Sequence, residues 1–150
     1  MTFRLNAVRL ACALAAAAGL ATAARADDAA ALAAAAKEPG AVVTPSGLVF
    51  RSLVKGKGAS PKATSKVKVN YKGSFVDGRK FDASADHGGP ISFPLNGVIP
   101  CWTEGVQKLK VGGKAKLTCP SAIAYGSAGA GGVIPPDTTL VFEVELLAVN

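Results

Sequence analysis

The chain has 150 residues, with 17 lysines and arginines against 10 acidic residues, for a net charge of +7. That length fits one domain with sequence to spare. The lysines are scattered, often at alternate positions of expected strands, and no basic run is interleaved with exposed aromatics, which argues against a nucleic-acid binder.

The first stretch reads as a secretory signal over residues 1–26. Arg4 and Arg9 form a positive start, Leu10 to Ala24 is an uncharged apolar run, and Ala24-Arg25-Ala26 is a small-x-small cleavage site, with cleavage expected after Ala26. The competing reading is a membrane anchor, but the run falls short of the roughly 18–20 residues a span needs and is built from alanine rather than leucine. No stable membrane insertion is therefore expected after cleavage. Lipidation at Cys12 is disfavoured because Arg9 sits where an aliphatic residue is wanted. The remaining chain carries fourteen basic against ten acidic residues, a net +4. Export, to the periplasm first and to the medium as the alternative, is the expected destination.

Residues 27–45 are alanine-rich and offer almost no large apolar face, so they read as a flexible lead-in. A domain is expected over residues 46–150. Leu48 to Val54 reads as a strand, and Lys55 to Lys62 as a loop. Lys66 to Lys72 alternates strictly, turning Val67, Val69 and Tyr71 inward. Asp77-Gly78 is a hairpin turn signal. Ile91, Phe93 and Leu95 alternate again. Pro100 opens a short helix over Trp102 to Leu109, with Trp102, Val106 and Leu109 on one face, and Gly112-Gly113 stops it. Ala115, Leu117 and Cys119 form the next inward face. A glycine-rich loop from Gly126 to Gly132 follows, then a last strand with Leu140, Phe142, Val144 and Leu146 on one side. Antiparallel strands with one short helix laid against a curved sheet make an α+β domain around a single core.

Cys101 and Cys119 remain after processing. An even number in an exported chain suggests a disulfide, with two buried thiols as the alternative. His87, the one histidine, lies in a glycine-rich turn with no partner nearby in sequence, so neither a metal site nor a Ser/His/Asp set is expected. The glycine-rich loop lacks the Lys-Ser/Thr of a phosphate loop. Asp82 and Asp86 share a loop without an obvious third group for acid/base chemistry. What stands out is a set of aromatics beside polar groups: Tyr71, Phe81-Asp82, Phe93, Trp102, Tyr125 and Phe142. By pattern alone these read first as a core.

Five blocks stand in order: Val69-Asn70-Tyr71-Lys72-Gly73; Asp77 to Ser84; Val98-Ile99-Pro100-Cys101-Trp102-Thr103-Glu104-Gly105; Ala124-Tyr125-Gly126; and Ile134-Pro135-Pro136 followed by Leu140 to Leu146. Each is weak alone. Together, across residues 46–150, the sequence resembles the FKBP-type peptidyl-prolyl isomerases, which bind tacrolimus, and within them the bacterial exported members of the macrophage infectivity potentiator group. The long N-terminal dimerisation helix of that group is not evident, so a monomer is expected.

The resemblance implies a half-barrel, a five- to six-stranded antiparallel sheet wrapped on the short helix, with the substrate pocket between the two. It implies prolyl cis–trans isomerisation in the folding of exported proteins, with no cofactor and no metal. Proline-containing polypeptides would be the partners, and tacrolimus-like macrolides candidate ligands. Trp102 would be the pocket floor. Tyr71, Phe81, Ile91, Phe93, Val98, Ile99, Ile134 and Phe142 would line it. Asp82 and the Tyr125 hydroxyl would be the catalytic polar groups, expected to orient the substrate rather than transfer protons, and the Ile99 N–H a hydrogen-bond donor. Ile91 departs from the aromatic that many members carry there, and Ala130 and Gly131 are smaller than usual in the loop over the pocket. Cys101 stands where glycine is common, so a bridge to Cys119 would pin the helix start to the sheet behind the pocket. The alternative function is a non-catalytic chaperone or binding module on the same fold.

Overall fold

The structure, a computed structural model, describes residues 29–150. The expected signal peptide lies outside the described residues.

Alternation of apolar and polar residues builds one antiparallel sheet. Its order is β1 (Ala41–Val43), β2 (Val49–Val54), β6 (Lys114–Cys119), β7 (Leu140–Val149), β3 (Lys66–Phe75) and β4 (Lys80–Ala83), and β5 (Ile91–Pro94) also pairs with β3. The sheet is open rather than closed into a barrel. On β7 the residues Leu140, Phe142, Val144 and Leu146 are buried while Glu143 is exposed, and on β3 Val67 and Val69 are buried between exposed lysines. Period-two burial of this kind is what a sheet with one covered face requires.

Helix α2 (Pro100–Val106) covers that face. Proline at its first position suits a helix start, where no intrahelical donor is lost. Its buried residues, Cys101, Trp102, Gly105 and Val106, meet the sheet. A Cβ on Gly105 would lie 2.9 Å from both Leu117 methyls, so glycine at this position lets the helix sit directly on β6. The core joins Trp102, Val106 and Leu109 to Leu117, Leu140, Phe142, Val144 and Leu146.

β4 and β5 share one edge of β3, since Lys72 to Ser74 pair with β4 and Lys66 to Val69 with β5. The chain crosses between them through a 3-10 turn, Ser84–His87. Opposite this gap the Tyr71 N–H donates to Ser84 Oγ at 3.0 Å, which replaces the missing ladder bond. The hairpin joining β3 to β4 turns at Asp77-Gly78, with Gly78 at φ 91°, as that dipeptide predicts.

The stretch expected to be a flexible lead-in is folded over its described residues. Residues 29–36 form helix α1, with Ala35 buried, and β1 pairs with β2 from Ala41↔Arg51 to Val43↔Val49. Glu38 fixes the join between them: its carboxylate meets Arg51 of β2 at 3.0 Å and Lys116 of β6 at 2.8 Å. Among the described residues the sheet accordingly has seven strands rather than five or six, and there are two helices rather than one.

Candidate functional site

Trp102 is the second buried residue of α2 and points into a box of aromatic rings. Its ring centroid lies 5.2 Å from that of Tyr71, 5.4 Å from Phe93 and 5.3 Å from Phe142, the first and last edge-on. Edge-to-face contacts of this kind add about 0.5–1.5 kcal/mol per pair beyond burial, so the tryptophan is held in one orientation. It is 5% exposed, and its Nε1–H is buried without an acceptor among the described residues.

Above this floor opens a cleft of about 500 Å³ between α2 and the sheet. β3 contributes Tyr71, β4 Phe81 and Asp82, β5 Ile91 and Phe93, and β7 Phe142. The segment entering α2 adds Gly97, Val98 and Ile99, and the far rim is Tyr125. Gly73 makes the Phe81–Phe142 wall fit: a Cβ there would lie 2.5 Å from Phe81 Cζ and 2.9 Å from Phe142 Cε1. Those two rings meet edge-on at 5.6 Å.

Polar groups are few. Asp82 accepts from the Tyr71 hydroxyl (Oδ2, 2.7 Å) and from the Ala83 N–H (Oδ1, 2.9 Å), and its Oδ1 lies 2.8 Å from His87 Nε2. Burial pushes the carboxyl up, but the hydrogen bonds from Tyr71, His87 and Ala83 outweigh it and hold it below the usual carboxylate range. Burial, and then the carboxylate it donates to, raises the Tyr71 phenol. The Tyr125 phenol is also raised, first by burial and then by the charge of Asp82. The Ile99 N–H has no acceptor among the described residues, while its carbonyl accepts from Trp102 and Thr103.

The site residues expected from sequence converge, with one exception. Tyr71, Phe81, Asp82, Ile91, Phe93, Val98, Ile99, Trp102, Tyr125 and Phe142 all border the cleft. Ile134 does not; it is 6% exposed and packs into the core, where its carbonyl and N–H bridge to Ala130. Its place next to two prolines in a loop gave no sign of that inward turn. Gly97, Gly73 and His87 were missed. His87 was set aside for want of a partner nearby in sequence; its partner is Asp82, five residues back, across the Ser84–His87 turn.

Cys101 and Cys119 form a disulfide, with Cα atoms 5.9 Å apart and both residues fully buried. It ties the first turn of α2 to the end of β6, one residue from Trp102. Among the described residues no cluster of three or more His, Cys, Asp or Glu side chains could hold a metal, and no helix is long and apolar enough to cross a membrane.

The cleft can therefore bind an apolar ring against Trp102 and present a carboxylate, a phenol and a free N–H to a polar chain around it. None of its side chains is an activated nucleophile. Residues 57–147 match the FKBP-type peptidyl-prolyl cis-trans isomerase family. The chain is 54% identical over 115 residues, 77% of its length, to the FKBP-type peptidyl-prolyl cis-trans isomerase FkpA of Escherichia coli K12, and 56% identical over 119 residues, 79% of its length, to FkpA of Aeromonas hydrophila. It is 43% identical over 116 residues to the macrophage infectivity potentiator of Trypanosoma cruzi, 77% of this chain and 59% of that one. The match covers 42% and 44% of the two FkpA chains, so it spans somewhat less than half the length of each of these curated relatives. In three dimensions it resembles the crystal structure of E. coli FkpA (TM-score 0.79, 46% identity, covering 89% of this chain and 64% of that one). It equally resembles a peptidyl-prolyl cis-trans isomerase from Pseudomonas syringae (TM-score 0.79, 38% identity, covering 87% and 95%). Aromatic floor, paired Tyr71 and Asp82, and sequence likeness lead to one conclusion: the chain belongs to the FKBP-type peptidyl-prolyl cis-trans isomerase family.

Proposed function

We propose that the chain accelerates cis–trans isomerisation of X–Pro bonds in exported polypeptides, using the cleft over Trp102 and no cofactor. The observation that carries this reading is the aromatic box around Trp102, opening beside a carboxylate and a free backbone donor. The barrier to rotation, about 18–20 kcal/mol, is the loss of amide resonance on twisting. A twisted amide is less charge-separated than a planar one, so a water-poor apolar cleft favours it relative to water. A site that binds the twisted form more tightly than either planar form lowers the barrier without a chemical intermediate.

In this reading the prolyl ring packs on Trp102 between Tyr71, Phe93 and Phe142. The Ile99 N–H donates to a carbonyl of the substrate chain. Asp82, held ionised by Tyr71, and the Tyr125 hydroxyl orient the reacting amide. Each role is one of position and polarity; no proton needs to move. Ile91, smaller than an aromatic, leaves one wall wider for the residue before proline.

Export to the periplasm fits the basic start, apolar run and Ala24-Arg25-Ala26 site of residues 1–26, and the buried disulfide suits an oxidising compartment. The test compares isomerisation of a capped Phe-Pro peptide by the chain with that by a double variant, Asp82→Ala/Tyr125→Ala. Acceleration by the chain that tacrolimus blocks and the double variant lacks supports the reading. A folded chain that binds the peptide but does not accelerate it is instead a non-catalytic binding module.

A further inference from the structure

We propose that His87 is a positioning residue of the cleft, which through its contact with Asp82 makes affinity for proline-containing polypeptides depend on pH, binding being tighter below neutrality. The inference rests on the cleft being the polypeptide site, as read above.

Asp82 borders the cleft with its carboxylate divided between two side-chain partners. Tyr71, from β3, donates to Oδ2, and His87, from the turn after β4, stands 2.8 Å from Oδ1, which also accepts the Ala83 N–H. The other charged groups nearby are accounted for. Asp86, on the same turn as His87, is paired with Lys80 at 3.0 Å, and Tyr125 across the cleft is a neutral phenol raised by burial and by Asp82. The group beside Asp82 that can gain or lose a positive charge is thus the His87 imidazole.

A polypeptide entering the cleft strips water from the Asp82 carboxylate. With a neutral imidazole that charge loses hydration without compensation. With an imidazolium it keeps a charge-assisted hydrogen bond and a counter-charge, so the cost of covering it falls. Tyr71 and the Ala83 N–H hold the carboxylate in place in both states, so the difference falls on affinity rather than on the fold. The His87 side chain is 53% exposed and that of Asp82 38%, so solvent screening limits the effect to about two- to fivefold.

Trp102, the one tryptophan of the chain, lies at the cleft floor and reports occupancy without reference to catalysis. The test measures binding of a capped, non-titrating Phe-Pro peptide by Trp102 fluorescence at pH 5.5 and pH 8, with isomerisation followed in parallel. Wild type should bind about two- to fivefold more tightly at pH 5.5. His87→Gln should hold the weaker affinity and His87→Arg the tighter one at both values. Equal wild-type affinity at the two pH values, or variants that follow the wild-type profile, overturns the proposal. Isomerisation with pH-independent binding defeats this inference alone; pH-dependent binding without isomerisation defeats the proposed activity alone; no peptide binding by the folded chain defeats both.

Discussion

The Tyr71 hydroxyl donates to Asp82 Oδ2 at 2.7 Å while the ring of Tyr71 packs edge-on against Trp102 at 5.2 Å, so one side chain links the polar edge of the cleft to its apolar floor. Tyr71→Phe keeps the ring contact and removes the donor. The variant should fold as wild type by circular dichroism, and its kcat/KM for a Phe-Pro peptide should fall about five- to tenfold, the loss expected for one part-exposed charge-assisted hydrogen bond. An unchanged kcat/KM would mean that Asp82 needs no orientation from β3.

The same hydrogen bonds bear on stability. The Asp82 carboxyl in the folded chain is held below its ordinary value, against the upward pull of burial, by Tyr71, His87 and the Ala83 N–H. A depressed carboxyl favours the folded state above its unfolded value of about 3.9 and loses that contribution as pH falls through the folded value. Wild type should therefore exceed Asp82→Asn in stability at pH 6 and converge with it at pH 2, as read by urea unfolding at each pH. A gap of constant size would show that the charge contributes nothing.

Gly73 has no room for a methyl group between Phe81 and Phe142. Gly73→Ala must displace one of the two rings, an overpacking cost of about 1–3 kcal/mol. Thermal unfolding should show the loss, and KM for the peptide should rise because the moved rings form the cleft wall. A variant with wild-type stability would mean that the wall yields freely.

The Cys101–Cys119 bridge closes a loop with a sequence separation of 18, worth about 3 kcal/mol on the chain-entropy account. Cys101→Ala/Cys119→Ala should lower unfolding stability by about that much, and peptide affinity should weaken because the bridge fixes the helix turn that carries Trp102. Ellman titration of the unfolded, unreduced wild type should find no thiol from this pair. Two free thiols would contradict the bridge.

Much of this was legible in the sequence because alternation does the same work in both places. Leu140, Phe142, Val144 and Leu146 announce an inward face that the sheet then buries, and Pro100 with Trp102 and Val106 announces the helix that covers it, although that helix ends at Val106 and not at Leu109. The cleft followed because its aromatics sit at fixed positions on those elements. The failures have physical causes. The alanine-rich α1 and the three-residue β1 bury little surface of their own, and their anchorage depends on Glu38 meeting Arg51 and Lys116, partners 13 and 78 residues away. Ile134 sits in a glycine- and proline-rich loop, where no periodicity tells an inward residue from an outward one. His87 became a neighbour of Asp82 only because β4 and β5 share one edge of β3, so the turn between them must fold back past β4.

The central claim, that the cleft over Trp102 speeds rotation about X–Pro bonds, is tested most directly by magnetisation exchange between the cis and trans resonances of a capped Phe-Pro peptide with a substoichiometric amount of the chain. Unaided, the two forms interconvert over tens to hundreds of seconds and show no exchange on the timescale of about one second. The account predicts exchange cross-peaks with the wild-type chain and their loss with Phe142→Ala/Asp82→Ala at the same concentration. A folded wild-type chain that gives no cross-peaks, or a double variant that gives them undiminished, would contradict it.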